Sequence, residues 1–258
     1  MLRRLHHTAM TLGLLVVGTT VIAQTPVEFS AEARFQLDLH VPDAAITAML
    51  PPGFTLNVAT QGPAKDCNLR AIFVDRMTIN GPDGKPVGKG SSRLVYLTAP
   101  VKDPDGANAQ VVVDGLVDDP ADAPGPFGVY LAATTTHTMT RSTSAGASGA
   151  PLDSQDWVFH APGGEHLELH IKYEHGIANH GNPSEGKFYS AKTPSTVQTW
   201  RQEQVLDILR NPTTNPPDKV KEFSFKASGG SYAKLFDGTE KPVSWDNIIW
   251  LNRTILQP

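Results

Sequence analysis

Five histidines, His160, His166, His170, His175 and His180, fall within 21 residues and form the most conspicuous polar cluster in the chain. His166, Glu168 and His170 alternate, so an extended strand would put all three on one face, neighbours about 6.6 Å apart. Imidazole nitrogen and carboxylate oxygen are proper ligands for zinc or a similar ion. His166, Glu168 and His170 are thus the metal candidates, with His137 or His160 able to complete the set if a hairpin brings either close. The same pattern also describes the polar face of a solvent-exposed strand, because Leu167, Leu169, Ile171 and Tyr173 make the opposite, core-facing side. No His-x-x-x-His helix accompanies it. The expectation is no cofactor, with a metal ion on this strand as the one alternative the sequence raises.

Other chemistries fall away on spacing. No Gly-x-Ser-x-Gly elbow marks a serine hydrolase. Gly88-Lys89-Gly90-Ser91-Ser92 has glycines without the spacing or the strand-to-helix setting of a phosphate loop, and reads as a hairpin turn. Cys67 is the only cysteine, which excludes an intramolecular disulfide and suits a small buried apolar residue better than a nucleophile. Lys172 shares the polar face of the histidine strand and should meet solvent. The net charge of −4 offers no basic footprint for nucleic acid.

The N-terminus reads as a cleavable export signal. Arg3 and Arg4 precede an uncharged apolar run from Ala9 to Ala23, and Val21-Ile22-Ala23 places small residues where a signal peptidase reads them, before Gln24. Fifteen residues interrupted by Gly13, Gly18, Thr19 and Thr20 fall short of the roughly 20 needed to span a bilayer. The expectation is a signal peptide over 1–23 and a secreted or periplasmic mature protein with no membrane association. Residues 24–258 are expected to form a single domain, and a hydrophobic content of 40% supplies a sizeable core.

The elements that must position these residues are mostly short strands punctuated by glycine and proline. Alternation or β-branched runs predict strands over Glu28–Leu39, Phe54–Val58, Leu69–Ile79, Arg93–Leu97, Ala109–Leu116 and Val129–Arg141. Trp157–His160 and His166–Tyr173 read as a hairpin across Ala161-Pro162-Gly163-Gly164. Val220–Phe225, Tyr232–Phe236 and Ile248–Leu256 read as further strands or strand-helix mixtures. Two helices are expected: one opening at Asp43 as N-cap and stopping at Pro51-Pro52-Gly53, the other over Thr196–Arg210 with Val197, Trp200, Val205, Ile208 and Leu209 on one side. Together these predict a mainly β fold, an antiparallel closed or cone-like β-barrel with two short helices and room for a pocket inside.

Three segments carry a family resemblance. Leu39–Leu56 (LHVPDAAITAMLPPGFTL), Val111–Gly128 (VVVDGLVDDPADAPGPFG) and His166–Gly176 (HLELHIKYEHG) resemble, in order, the opening strand-helix-turn, the central region and a late strand of the acetoacetate decarboxylase superfamily. The resemblance spans roughly residues 35 to 200 and implies a barrel holding a small organic molecule. Family enzymes form a Schiff base on a lysine following the central strand. The corresponding stretch here, Val129–Arg141, has no lysine, and His40 stands where the family tends to carry a carboxylate-binding arginine. The resemblance therefore implies an exported relative that binds a small molecule in the barrel interior without the standard decarboxylation. Two alternatives stay open: an active lyase or hydrolase using a non-standard set drawn from His40, His137, Glu168 and His170, or an exported metal-binding protein.

Overall fold

The computed structural model describes residues 24–142, 151–209 and 219–257. The expected signal segment, residues 1–23, lies outside the described residues. In chain order the strands are β1 (Thr25–His40), β2 (Thr55–Leu56), β3 (Leu69–Asn80), β4 (Ser92–Lys102), β5 (Asn108–Val117), β6 (Tyr130–Ala132), β7 (Thr134–Ser142), β8 (Leu152–His160), β9 (His166–Glu174), β10 (Asn179–His180), β11 (Ser184–Ser190), β12 (Val197–Ile208), β13 (Val220–Ser228) and β14 (Lys241–Gln257). Two short helices, α1 (Asp43–Thr47) and α2 (Tyr232–Leu235), interrupt them. Among the described residues no helix is long and apolar enough to cross a membrane.

Seven strands close a barrel in the order β3-β1-β14-β12-β11-β5-β4, with the β4–β5 pairing completing the ring. All barrel pairs are antiparallel except β5–β11, where Gln110 to Val112 run parallel to Phe188 to Ser190. Register shifts at Glu32/Arg34 on β1, Leu97/Thr98 on β4 and Val205/Leu206 on β12 are bulges, which add local twist and let long strands curve into closure. A second sheet, β13-β9-β8-β7, covers one side of the barrel.

Strand alternation sorts side chains into two apolar layers. Phe35, Leu37 and Leu39 of β1, Ala71 and Phe73 of β3, and Val95 and Leu97 of β4 face outward, where Trp157, Phe159, Leu167, Leu169, Ile171 and Tyr173 of the second sheet meet them. Phe73 packs 5.7 Å from Trp157, ring centre to centre, in a tilted pair. The residues between them in sequence, Ile72, Val74, Leu94, Tyr96, Val112 and Val117, point inward with Phe188, Trp200 and Ile255. Both faces of β4 and of the middle of β3, Ala71 to Val74, are therefore buried. Each large apolar side chain removed from water contributes about 1.5–3 kcal/mol.

Two sequence expectations need correction. Thr196–Arg210 is not a helix: Val197–Ile208 is strand β12, paired with both β11 and β14, and Arg210 lies outside the described residues. Its apolar residues fit a helical face only loosely, and two neighbouring strands satisfying its backbone on both edges override that weak preference. Asp43 is not the cap of α1; Pro42 occupies that position and Asp43 is the first helical residue. Its carboxylate instead accepts a 2.8 Å hydrogen bond from Asn68, whose side-chain amide also pairs with both backbone groups of Val41 and so pins the turn out of β1. The second helix is α2, in the Tyr232–Phe236 segment.

Candidate functional site: an arginine-glutamate cluster inside the barrel

The inward row of β1 carries Glu28, Ser30, Glu32 and Arg34 in place of the hydrophobic residues that fill its outward row. Register sets Arg76 of β3 opposite Glu32, and Arg253 of β14 opposite Ser30. Tyr96 of β4 and Trp200 of β12 wall the group in. Glu32, Arg34, Arg76 and Arg253 are all buried.

The geometry is that of a shared carboxylate. Glu32 Oε2 accepts from Arg34 Nε at 2.5 Å, while Oε1 accepts from Ser30 Oγ at 2.7 Å and lies 2.6 Å from Arg253 Nη2. Arg76 Nε is 3.7 Å from the same carboxylate, and its two terminal nitrogens donate to the Asp122 carbonyl and to Glu28. Arg34 Nη1 reaches Tyr96 Oη at 3.4 Å, and the Arg253 guanidinium lies 4.4 Å above the Trp200 ring. Burial alone would raise the Glu32 pKa, but Arg253, Arg34 and Arg76 outweigh it and hold the carboxyl at about 2. Burial lowers the Arg253 pKa, and Arg34 and Arg76 add to the shift against the pull of Glu32. Burial also raises Tyr96 and Tyr130, keeping both phenols neutral.

Three guanidiniums face two carboxylates here, so the group carries one excess positive charge. Its hydrogen bonding is also incomplete: Arg34 Nη2 and Arg253 Nε and Nη1 are buried with no acceptor among the described residues. Each unpaired buried donor costs about 1–3 kcal/mol, and folded proteins keep few. On the outer face of the same wall, Phe29, Ala31, Arg201, Glu203, Asn252 and Thr254 line an open groove of about 520 Å³, with the strands that carry Ser30, Gln202 and Arg253 as its floor. Planar guanidinium donors match the two oxygens of a carboxylate.

The residues singled out from sequence lie elsewhere. His40 ends β1, its Nδ1 2.8 Å from the Asp66 carbonyl. His137 of β7 stacks on Trp157 at 3.5 Å, outside the barrel wall, and its Nδ1 pairs with Asp75. Asp75 also accepts from Arg93 at 2.5 Å; burial opposes its ionisation, but the His137 and Arg93 hydrogen bonds prevail and lower its pKa. Glu168 and His170 stand on the solvent face of β9. His170 Nδ1 lies 2.6 Å from Asp156, a hydrogen bond that raises the histidine's pKa. Lys172 pairs with Glu222 at 2.8 Å on that same face. His166 and Glu168 do come together, with His160 as the third member in place of His170. Burial, with Asp38 nearby, pushes the Cys67 thiol up to about 12, which leaves it unreactive. None of the twelve lysines, all within the described residues, is buried.

Sequence reading passed over Glu32, Arg34, Arg76 and Arg253. The available signal was charge inside strands: Glu28, Glu32 and Arg34 alternate with a core-facing row, and Arg253 sits within the apolar run Ile248–Leu256.

At the sequence level no family model and no curated protein matches this chain. Solved structures do. MppR, an enduracididine biosynthesis enzyme complexed with the condensation product of pyruvate and imidazole 4-carboxaldehyde, superposes with a TM-score of 0.56 at 12% identity, covering 97% of this chain and 96% of that one. An acetoacetate decarboxylase-like enzyme from Sphingomonas wittichii RW1 gives 0.53 at 12% identity over 96% and 97% of the two chains. An acetoacetate decarboxylase gives 0.54 at 9% identity over 91% and 88%. The match runs nearly end to end in all three cases, so this chain is a barrel of the acetoacetate decarboxylase-like fold.

Proposed function

We propose that this chain is an exported protein that holds a small organic carboxylate inside the barrel, on Arg34, Arg76 and Arg253, and does not carry out Schiff-base decarboxylation. One observation carries the reading: buried guanidinium donors stand without acceptors in a cluster of net positive charge. A small carboxylate held inside the barrel would satisfy those donors and cancel the excess charge. Schiff-base chemistry needs a lysine kept neutral by burial or a neighbouring cation. The exposed or half-exposed positions of all twelve lysines support its absence here. Export rests on the signal pattern of residues 1–23, and the intact mass of protein recovered outside the cytoplasm should begin at Gln24.

The test has two arms. Acetate, pyruvate and acetoacetate are titrated calorimetrically into the mature protein, and acetoacetate or pyruvate is incubated with it under borohydride before intact-mass measurement. Saturable carboxylate binding that weakens about tenfold in Arg253→Gln, with no mass adduct, is expected, since losing one charge-assisted hydrogen-bonding partner costs roughly 1.5–3 kcal/mol. Absence of saturable binding sinks the carboxylate site, and a stable lysine adduct sinks the claim about the chemistry.

A second reading, an active lyase or hydrolase with a non-standard catalytic set, has one feature in its favour. His137 Nε2 is buried without a hydrogen-bond partner, its ring is oriented by Asp75, and it lines a groove of about 400 Å³ with Met139, Trp157, Ile248 and Ile249. Such a pair is the arrangement of a general base and its orienting group. Turnover abolished by His137→Gln would favour this reading over a binding protein.

A further inference from the structure

We infer that His160, His166 and Glu168 form a surface site for a divalent transition-metal ion of zinc-like preference. The site lies on the solvent face of the second sheet and owes nothing to the arginine cluster.

The backbone brings the three together for simple reasons. The turn Ala161–Glu165 is closed by Ala161 N–H to Glu165 C=O at 2.8 Å, and it makes His160 and His166 the last cross-strand pair of the β8–β9 hairpin. Directly opposed residues have Cβ atoms about 4.5–5.5 Å apart. Glu168 is the next residue on the same face of β9, so its carboxylate leans over His166. His166 Nε2 lies 3.0 Å from Glu168 Oε1, and the two imidazoles stack at 3.9 Å with their Nδ1 atoms 2.8 Å apart. Taking one donor from each residue, all ligand atoms fall within 4.8 Å of one another. Tetrahedral zinc with bonds of about 2.0–2.1 Å requires ligand atoms about 3.3 Å apart; because His166 meets Glu168 through Nε2 and His160 through Nδ1, a turn of its ring or a swing of the Glu168 carboxylate would bring one donor from each residue onto the ion.

The donor set is two imidazole nitrogens and one carboxylate oxygen, which suits zinc, nickel or copper better than calcium or magnesium. Two neutral imidazoles facing each other can share only one proton between the close nitrogens, and a cation would satisfy both lone pairs. Three protein ligands leave a fourth position for water or for a donor from a bound molecule. His170 does not belong to the set, because Asp156 and Glu222 already engage it from neighbouring strands. Lys226 Nζ lies 3.8 Å from Glu168 Oε2, and His166 Nε2 is 3.0 Å from the other oxygen, Oε1.

Zinc chloride is titrated calorimetrically into tag-free mature protein near neutral pH. One-to-one binding of roughly micromolar affinity is expected, falling at least about tenfold in His166→Ala and in His160→Ala, and staying within about twofold of wild type in His170→Ala. All three variants change exposed or half-exposed side chains on a paired strand, so circular dichroism should show folding unchanged. Absence of one-to-one binding, or equal losses in the His170 and His166 variants, overturns the assignment.

Discussion

Glu32→Gln tests the interior cluster most directly, because this carboxylate is the hub of three buried guanidiniums. Its carboxyl is held at about 2 against an ordinary 4.5, a difference worth about 3 kcal/mol of native-state stabilisation at neutral pH. Removing one partner of a buried ion pair costs about 3–5 kcal/mol by independent reckoning, so the two figures agree in order of magnitude. A domain of this length loses about 2–4 °C of Tm per kcal/mol, which predicts a fall of about 10 °C at pH 7 in scanning calorimetry. The sign in pH is fixed by the depressed value. Stabilisation by Glu32 is fully present above about 4.5 and disappears as pH falls toward about 2, so wild type and variant should converge on acidification. The variant also raises the net interior charge, so acetate should restore its Tm more than the same concentration of chloride. A variant within about 2 °C of wild type at pH 7, or a gap that persists at pH 2, would refute the buried network as described.

Two further substitutions probe other parts of the barrel. Burial first, then the neighbouring Asp38 carboxylate, push Asp246 up to about 7, and its Oδ1 is buried without a hydrogen-bond partner. A raised carboxyl binds its proton more tightly folded than unfolded, so stability should decline as pH rises from about 4 to about 7. Asp246→Asn should flatten that decline and raise the urea midpoint at pH 8; an unchanged pH profile would count against the assignment. Gly115 on β5 lies where an added Cβ would sit 2.7 Å from the Tyr130 ring and 3.0 Å from the Val95 carbonyl. Gly115→Ala should therefore cost about 1–3 kcal/mol, read as a lower denaturation midpoint with unchanged cooperativity, and a neutral result would place the Tyr130 ring elsewhere.

Much of the strand content was legible in the residues. Glu28–Leu39 and His166–Tyr173 carry clean alternation, a property of the extended backbone alone, and Leu69–Ile79 carries the short apolar run Ala71–Val74 of a strand buried on both faces. The polar face of β9 and the burial of Cys67 followed from the same local rules. Thr196–Arg210 was misread because Val197, Trp200, Val205, Ile208 and Leu209 satisfy a helical face as loosely as they satisfy a strand, and only pairing with β11 and β14 chose between them. The arginine cluster was hidden for a different reason. Glu32, Arg34, Arg76 and Arg253 look like the polar faces of half-exposed strands, and nothing local reveals that barrel closure turns those faces inward. Likewise His166 and Glu168 were neighbours by spacing, but His160 joined them only through cross-strand register, while Asp156 drew His170 away. Sequence by itself determined which residues alternate and which chemistries lack their groups. Tertiary structure decided which polar face is solvated and which is sealed, because burial depends on closure between strands far apart in the chain.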